Sequence, residues 1–211
     1  MDSSSSATPI RTFPPLYKST GDEKKDMLAF IHVIERLKTQ KRTGWVNNNV
    51  SGPESIADHM YRMAMLSMLV DDQSLDVSKC VMIALVHDLA EAQVGDITPH
   101  EGFTKAEKHK LEEDAMKSFV HDMLHGSPAA QRIFALWKEY EEGVTPEAKF
   151  VKDLDKFEMA TQASEYECDQ KTPLQQFFDS SIPRLRHPQV QSWGETLMQE
   201  REDVQRQRQQ Q

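Results

Sequence analysis

The chain has 211 residues and carries 34 acidic and 25 basic side chains, so its formal net charge at pH 7 is −9. This excess of negative charge argues against a general nucleic-acid binder, because such proteins neutralise phosphates with lysine and arginine. Glycine is scarce at 8 residues, methionine is plentiful at 11, and 38% of the residues are hydrophobic. The composition therefore predicts a soluble, mostly helical globular domain with a sizeable core.

The two ends of the chain differ in composition from its middle. Residues 1–21 contain the serine run Ser3–Ser6 and three prolines without an apolar segment, so we expect a disordered tail rather than a secretory signal. A mitochondrial presequence is the alternative, which Asp2 and the prolines disfavour. Residues 201–211 are expected to form a polar C-terminal tail. One domain is therefore expected over residues 22–200.

Helical periodicity and turn residues divide this domain into predicted elements. The patterns predict helices over about residues 22–40, 51–70, 76–93, 104–125, 127–142, 146–169 and 173–180, and a last helix from about residue 189. Residues 42–49 and 96–103 are predicted loops. Ser51 is expected to cap the second helix and Gly95 to end the third. These elements predict an all-α fold, a single helical bundle.

Cysteine content and hydropathy indicate the cellular compartment in which we expect the protein. Cys80 and Cys168 are the two cysteines of the sequence, too few for a disulfide framework or a cysteine-based zinc motif. The longest apolar run, Val81–Val86, is far shorter than the ~18 residues that a membrane span needs. We therefore expect a cytoplasmic protein, with the nucleus as a second location, and no membrane partner.

The third predicted helix carries the most informative segment. Its stretch Val81–Val86 is apolar on every side, so we expect this helix to be central and buried. His87, Asp88 and Glu91 follow at helical spacing, which allows them to converge on one site. A satisfied buried histidine beside an acid pair is the simple alternative. A histidine and two acids on an apolar helix are costly to bury without a partner, however, and a divalent cation supplies one.

Two further residues point towards the same core. His59 lies on the apolar stripe of the second helix, where it is either a hydrogen-bonded core residue or a ligand. Asp155 is expected to face the core of its helix, whereas Asp153 lies almost opposite and is expected to be solvated or paired with a lysine. Because a buried, unpaired aspartate is costly, Asp155 needs a cation or a strong donor.

The order of these residues resembles a known pattern. His59, then His87-Asp88, then Asp155 is similar to the H…HD…D arrangement of the HD-domain metal-dependent phosphohydrolases. Residues 54–59, 87–99 and 105–113 resemble the 5′-deoxynucleotidase branch of that superfamily, and the resemblance covers about residues 26–175. Glu91 is followed by Ala92 rather than by a second acid, which disfavours the guanosine tetraphosphate hydrolases. The sequence also lacks a Gly-Tyr-Pro motif and a histidine-rich extension, which disfavours the cyclic-dinucleotide phosphodiesterases and the triphosphohydrolases.

The resemblance implies a set of metal ligands. One divalent cation (Mn, Co, Zn, Fe, Cu or Mg) would bind a phosphate oxygen and lower the pKa of a bound water. Its implied ligands are His59, His87, Asp88 and Asp155. A second ion held by Glu91, Asp96 and the Ile97 carbonyl is an alternative in this branch.

The same resemblance implies roles in substrate binding or catalysis for four residues. Glu91 would orient or deprotonate the attacking water, and Asp96 would protonate the leaving 5′-oxygen or fix the sugar. Arg42 would contact the phosphate and Trp45 would pack against the sugar. In bacterial relatives the last two residues are adjacent, whereas two residues separate them here. A surface charge in a basic turn is the alternative for Arg42.

The expected function is therefore metal-dependent removal of the 5′-phosphate from deoxyribonucleoside 5′-monophosphates, and the resemblance implies a homodimer. One alternative is another phosphohydrolase of the superfamily, acting on cyclic nucleotides or alarmones. The other is a catalytically inactive helical binding module that a metal stabilises. The presence of Glu91 and Asp96 beside the ligand set argues against that loss of activity.

Overall fold

The computed structural model describes residues 11–209, apart from the side chains of His100 and Gln209. This range is all-α, as predicted, and its one extended pairing is an isolated antiparallel bridge between Lys41 and Ser55. None of its helices combines the length and the apolar character that crossing a bilayer requires. In chain order the helices are α1 (Glu23–Ile34), α2 (Arg36–Thr39), α3 (Thr43–Asn47), α4 (Ile56–Ser67), α5 (Val77–Val86), α6 (Glu91–Val94), α7 (Lys105–Ser118), α8 (Pro128–Glu142), α9 (Pro146–Gln170), α10 (Gln175–Ser181) and α11 (Pro188–Gln209).

The start of α4 differs from the prediction. Ser55, not Ser51, is the N-cap: its hydroxyl accepts from the backbone N–H of Asp58, and the Asp58 carboxylate accepts from the backbone N–H of Ser55. This reciprocal capping box outcompetes the Ser51 signal because it satisfies donors at both residues. The predicted loop before α4 also contains the short helix α3, which buries Trp45.

The third predicted helix is interrupted at its functional segment. α5 ends at Val86 and α6 begins at Glu91, and the backbone between them tightens. The N–H groups of Leu89 and Glu91 bond to carbonyls three residues earlier instead of four. Gly95 ends α6, as predicted, with a φ of +72° that a residue with a Cβ rarely adopts.

α5 is the predicted central helix, since it packs against α4, α8 and α9, and its burial is one-sided. Ile83 and Ala84 are fully buried, whereas Met82 and Leu85 are each almost half exposed. The buried side chains of the domain form two clusters, and α4 contributes to both. His59 lies on the same helix and is itself fully buried.

The N-terminal strap, which we define as residues 11–21, corrects the prediction of a disordered tail for that part of the chain. The Phe13 ring lies edge-on to Phe103 at a centroid distance of 5.8 Å, and the Gln93 side chain donates to the Pro14 carbonyl. The Asp26 carboxylate of α1 is fully buried beneath the strap and accepts hydrogen bonds from its polar groups. Residues 1–10 of the predicted tail lie outside the described residues.

The predicted C-terminal tail is also ordered as far as it is described, because α11 continues to Gln209. Arg201 forms a bidentate contact with Glu167 of α9, at 2.7 and 3.0 Å. Arg208 donates to the backbone carbonyls of Glu167 and Cys168. Arginine contacts rather than apolar side chains hold this segment against α9. The polar composition of the segment therefore did not indicate that it is an ordered helix.

Candidate active site

Two histidines form the centre of the site. His59 lies on α4 and is fully buried, and His87 follows the last residue of α5 and is 3% exposed. Their Nδ1 atoms both have partners, since His59 faces Glu158 at 2.5 Å and His87 faces the Ala84 carbonyl at 2.9 Å. Both Nε2 atoms are buried without a hydrogen-bond partner among the described residues. Donation from Nδ1 leaves each Nε2 as a lone-pair donor directed at the same space.

Two carboxylates approach these nitrogen atoms. Asp155 Oδ1 lies 3.3 Å from His59 Nε2. Asp88 Oδ2 lies 3.1 Å from His87 Nε2 and 3.9 Å from His59 Nε2. The ligand atoms of His59, His87 and Asp155 all fall within 4.8 Å of one another. Three helical segments that are distant in sequence therefore converge on one point.

This geometry fits a divalent cation. Nitrogen and oxygen ligands bind such ions at about 2.0–2.2 Å, so two neighbouring ligands are separated by roughly 3–3.5 Å. The contacts of Asp155 with His59 and of Asp88 with His87 lie in that range. The unpartnered Nε2 atoms are a second indication, because a buried acceptor without a partner is costly.

The ionisation of the site follows from its excess of carboxylates. Burial and Arg42 lower the pKa of His59, but the Glu158 and Asp155 carboxylates outweigh them and raise it to about 10. Burial alone would raise the Asp155 pKa, yet the His59 imidazolium holds it well below its usual range. A proton on His59 thus balances the carboxylates where a bound cation would do so.

Two residues that the sequence analysis missed orient these ligands. Glu158 binds His59 Nδ1 and also accepts from Arg62 Nε at 2.7 Å. The Tyr140 hydroxyl donates to Asp155 Oδ2 at 2.8 Å. Glu158 follows Asp155 by three positions and Arg62 follows His59 by three, so a charged residue one turn after each ligand was the available signal.

Asp153 differs from its prediction in one respect. It is paired with Lys156 at 3.2 Å, as expected, but it is buried rather than solvated. Its second oxygen accepts from the backbone N–H groups of Arg186 and His187 at 2.5 and 2.7 Å. Asp153 therefore holds the segment before α11, while Asp155, one-third exposed, faces the site.

Arg42 lies at the site, as predicted, and is not a surface charge. Its guanidinium Nη1 donates to Asp88 Oδ2 at 3.3 Å, and its Nε lies 4.0 Å from Glu54 Oε1. Burial lowers the Arg42 pKa, but the charges of Asp96 and Asp88 outweigh this and raise it. A fixed positive charge beside the candidate metal ligands can bind one phosphate group.

The predicted role of Trp45 is wrong. The indole is 1% exposed and packs against Phe177 at a centroid distance of 4.3 Å and against Tyr166 at 5.4 Å. Its Nε1 donates to Glu54 Oε1 at 2.8 Å. Because the ring has almost no exposed surface, it cannot contact a sugar in this conformation. Trp45 instead supports Glu54, which lies behind Arg42.

Glu91 is buried beside the ligand carboxylates. It is 3% exposed, and its Oε2 has no hydrogen-bond partner among the described residues. Burial, together with the negative charges of Asp88 and Asp96, raises its pKa well above the ordinary value. A carboxylate with a raised pKa is a stronger base than an exposed one, which suits proton transfer.

Asp96 joins two loops of the site. Its Oδ2 accepts from the backbone N–H of Thr43 at 2.7 Å, and its carbonyl accepts from the Thr43 hydroxyl at 2.8 Å. Arg11 of the N-terminal strap also donates to this carbonyl, at 2.9 Å. Next along the chain, the Ile97 carbonyl accepts from Lys108. Asp96 therefore sits between the Arg42 segment and Glu91, where its charge acts on both.

The HD domain profile matches residues 34–193 of this chain. The chain belongs to the HD-domain family. It is 48% identical over 180 residues to a protein named 5′-deoxynucleotidase hdd1 from Schizosaccharomyces pombe, with 83% of this chain and 90% of that protein covered. It is 45% identical over 173 residues to one named 5′-deoxynucleotidase HDDC2 from Homo sapiens, with 81% and 84% covered. The predicted resemblance to the HD-domain phosphohydrolases is confirmed.

The same relationship extends to solved structures. The HD domain-containing protein YGK1, from Saccharomyces cerevisiae, aligns with a TM-score of 0.64 and 32% identity, covering 85% of this chain and 86% of that chain. The all-α arrangement of the present structure is thus that of an HD domain. The pair after which the domain is named is His87-Asp88 here, directly after α5.

Proposed function

We propose that this HD-domain protein is a metal-dependent 5′-deoxynucleotidase, a phosphoric monoester hydrolase that releases phosphate from deoxyribonucleoside 5′-monophosphates. One observation carries the proposal: two buried histidines direct unpartnered Nε2 atoms at the carboxylates of Asp88 and Asp155, beside Arg42. The names of the relatives, both 5′-deoxynucleotidases, supply the substrate class.

The residues that would hold the cation are His59, His87, Asp88 and Asp155. When bound, a divalent ion supplies positive charge that polarises a phosphoryl oxygen and makes water more acidic. Imidazole and carboxylate ligands suit Mn, Co, Zn, Fe and Cu, and Mg is a further candidate. Glu158 and Tyr140 hold His59 and Asp155 in place, so the ligand set is preorganised.

The reaction breaks the bond between phosphorus and the 5′-oxygen. Glu91 accepts a proton from the attacking water as the new P–O bond forms, and the leaving 5′-oxygen takes up a proton. Asp96 is the residue that we propose to deliver this proton or to fix the sugar. The Arg42 guanidinium neutralises charge on the phosphoryl oxygens.

The limited positive charge of the site favours a single phosphate. Arg42 and Lys108 are cationic side chains that contact site carboxylates, at 3.3 and 3.7 Å. A triphosphate requires a more extensive cradle of backbone N–H groups and cations. The preference for deoxyribose is proposed from the names of the relatives alone, since Trp45 does not reach the site.

The experiment is a phosphate-release assay with Mn²⁺, Co²⁺ or Mg²⁺ on matched substrates. It compares deoxyribonucleoside and ribonucleoside 5′-monophosphates with 3′-monophosphates, triphosphates, cyclic nucleotides and guanosine tetraphosphate. Turnover of several deoxyribonucleoside 5′-monophosphates is the expected result. Turnover confined to cyclic nucleotides or alarmones would establish the rival hydrolase function, and metal binding without turnover would establish a binding module.

We also propose that the protein is a homodimer. Exposed apolar side chains on two helices that pack against each other support it: Tyr61 and Met65 on α4, Met68 directly after α4, and Met82 on α5. Apolar surface of this kind is typical of interfaces. In sedimentation experiments, the Met65→Lys/Met82→Lys variant should shift towards monomer, whereas Met27→Lys, at an exposed position of α1, should not. A wild-type chain that sediments as a monomer at micromolar concentration would exclude the dimer.

A further inference from the structure

Lys152 places an ammonium group beside the proposed metal ligands. It lies on α9 one turn before Asp155, so the two side chains share a face of the helix. Its Nζ lies 4.0 Å from the centroid of the Tyr140 ring. The Tyr140 hydroxyl donates to Asp155 Oδ2 at 2.8 Å, and the same ring packs against His87 at a centroid distance of 4.9 Å. One tyrosine ring therefore connects this ammonium to two of the proposed ligands.

The stem of Lys152 occupies a space that Gly143 leaves open. Gly143 ends α8 with a φ of +62°, and a Cβ built on it would lie 2.8 Å from Lys152 Cε and 3.3 Å from Cδ. A Cβ at that distance would force the lysine stem to move. The position of the ammonium over the Tyr140 ring therefore depends on the absence of a side chain at residue 143.

The charge of Lys152 is not neutralised by contact. Among the described residues its Nζ forms neither a salt bridge nor a hydrogen bond, whereas the nearby Lys156 pairs with Asp153 at 3.2 Å. Burial lowers the Lys152 pKa, although the charges of Glu141 and Asp155 act from a distance to raise it. A cation held over an aromatic ring in this way can bind an incoming anion without first breaking a salt bridge.

Arg42 and Lys152 approach the ligand carboxylates from different parts of the chain. Arg42 precedes α3 and donates to Asp88, whereas Lys152 lies on α9 above Tyr140. A phosphate monoester carries up to two negative charges on three terminal oxygens, so a single guanidinium leaves part of that charge for a second donor. Lys152 has the charge and the free ammonium that such a donor needs.

We propose that Lys152 is a substrate-binding residue, whose ammonium donates to a terminal phosphoryl oxygen of the 5′-monophosphate. The proposal rests on the proposed function, since it presumes a phosphoryl group held beside Asp88 and Asp155. In this arrangement Tyr140 positions the ammonium and the Asp155 carboxylate together, and Gly143 leaves the space that the lysine stem occupies.

Phosphate binding tests the proposal without relying on turnover. The full chain is loaded with Mn²⁺ and freed of excess metal, and calorimetry measures the Kd of inorganic phosphate for the wild type, Lys152→Met, Lys152→Arg and Lys149→Met. Lys149 is the matched control, because it lies on the same helix and is exposed. We expect Lys152→Met to weaken phosphate binding at least tenfold, equivalent to about 1.4 kcal/mol, and Lys149→Met to leave it unchanged. Lys152→Arg should restore most of the affinity.

Two further measurements separate substrate binding from a structural role. In the phosphate-release assay, Lys152→Met should raise KM for a deoxyribonucleoside 5′-monophosphate more than it lowers kcat, while its affinity for Mn²⁺ in competition with a chelator stays at the wild-type value. In the wild type, phosphate should slow the acylation of Lys152, followed by mass spectrometry, and should leave that of Lys149 unchanged.

Equal phosphate affinity in the wild type and Lys152→Met, or acylation of Lys152 that phosphate does not slow, would overturn this inference alone. A loss of phosphate affinity that Lys152→Arg does not restore, accompanied by weaker Mn²⁺ binding, would show that the lysine only supports Tyr140 and would overturn it as well. A wild type that binds phosphate through Lys152 but hydrolyses no nucleotide would contradict the proposed function and leave the phosphate contact in place.

Discussion

Glu158 and His59 form a fully buried pair in which the carboxylate Oε2 lies 2.5 Å from the imidazole Nδ1. The pair connects α9 to α4 and determines which nitrogen of His59 faces the candidate ion. Glu158 also accepts a hydrogen bond from Arg62, and this guanidinium balances the negative charge of Glu158. The orientation of a proposed ligand therefore depends on a residue that does not itself reach the ion.

Replacing Glu158 with glutamine should weaken metal binding while leaving the proposed ligands in place. Loss of a carboxylate that orients a ligand histidine typically lowers metal affinity about 10–100-fold. Competition with a chelator measures the change. Glu165→Gln is the control, since Glu165 binds the same Arg62 but is half exposed and remote from His59. Equal metal affinity in Glu158→Gln and the wild type would remove the positioning role.

Removing the ion should destabilise the fold, because its proposed ligands come from three separate helical segments. A ligand that binds the native state alone stabilises it by about 2.7 kcal/mol at a hundredfold excess over Kd. For a chain of this size, that corresponds to a Tm change of roughly 5–10 °C. Differential scanning fluorimetry with a chelator, followed by Mn²⁺ or Co²⁺, measures it. An identical Tm with and without the ion would contradict the metal site.

The Glu91→Gln variant should retain the proposed divalent ion and lose turnover. The proposed ligands are unchanged, whereas proton transfer by a positioned side chain typically contributes about 10²–10⁴-fold. We therefore expect kcat to fall by that factor with unchanged metal content. Glu107→Gln is the control, since Glu107 is exposed and a glutamine can complete the same capping box. If kcat is unchanged while the metal remains bound, Glu91 has no part in the reaction.

Glu112 should make stability depend on pH. Burial raises its pKa from 4.5 to about 7, despite the nearby Lys108 ammonium. A raised carboxyl pKa stabilises the folded protein below pH 4.5, and this contribution is lost as the pH rises through 7. Glu112→Gln should therefore match the wild type near pH 5 and exceed its stability at higher pH by about 1–3 kcal/mol.

Urea unfolding at several pH values measures this difference. Glu113→Gln is the matched control, because Lys117 lowers the pKa of Glu113 and no gain with rising pH is expected there. A constant stability difference between Glu112→Gln and the wild type from pH 5 to 9 would show that Glu112 titrates normally.

Asp26→Asn should loosen the N-terminal strap. Burial alone would raise the Asp26 pKa, but hydrogen bonds from Ser19, Tyr17 and Thr20 hold it far below its usual range. The anchoring is therefore present above about pH 4 and is lost on stronger acidification. Asparagine removes the charge that these donors share, so Tm should fall.

Trypsin cleavage at the exposed Lys18 should become faster in Asp26→Asn, which can be followed by mass spectrometry. Asp22→Asn is the control, because Asp22 caps the same helix and asparagine is an equally good cap. Cleavage at the wild-type rate would mean that Asp26 does not anchor the strap.

Local patterns predicted the helices and the convergence of the proposed ligands well. His59, Asp88 and Asp155 lie together because their helices bury periodic apolar faces, and that periodicity is visible in the sequence. The roles of these residues towards a metal and a substrate remain predictions. Glu158 and Tyr140 could not be placed from the sequence, since the contacts of both depend on how α8 and α9 pack.

The errors have a common physical cause. Trp45 received its role from the family resemblance, but its tertiary packing against Phe177 and Tyr166 buries it. The strap and the end of α11 are held by buried or bidentate polar contacts, such as that of Arg201 with Glu167. Compositional rules for disorder count apolar residues and therefore overlook contacts of this kind.

The position of Asp26 also bears on what a shortened N-terminus would remove. Met27 follows it directly, and all residues proposed to bind metal or substrate come later in the sequence. A polypeptide shortened to begin at Met27 would therefore keep all the proposed ligands. That polypeptide would lack Arg11, which holds the Asp96 carbonyl, and the carboxylate beneath the strap. Removing the residues before Met27 would thus separate the proposed metal ligands from the contacts that support the Asp96 loop.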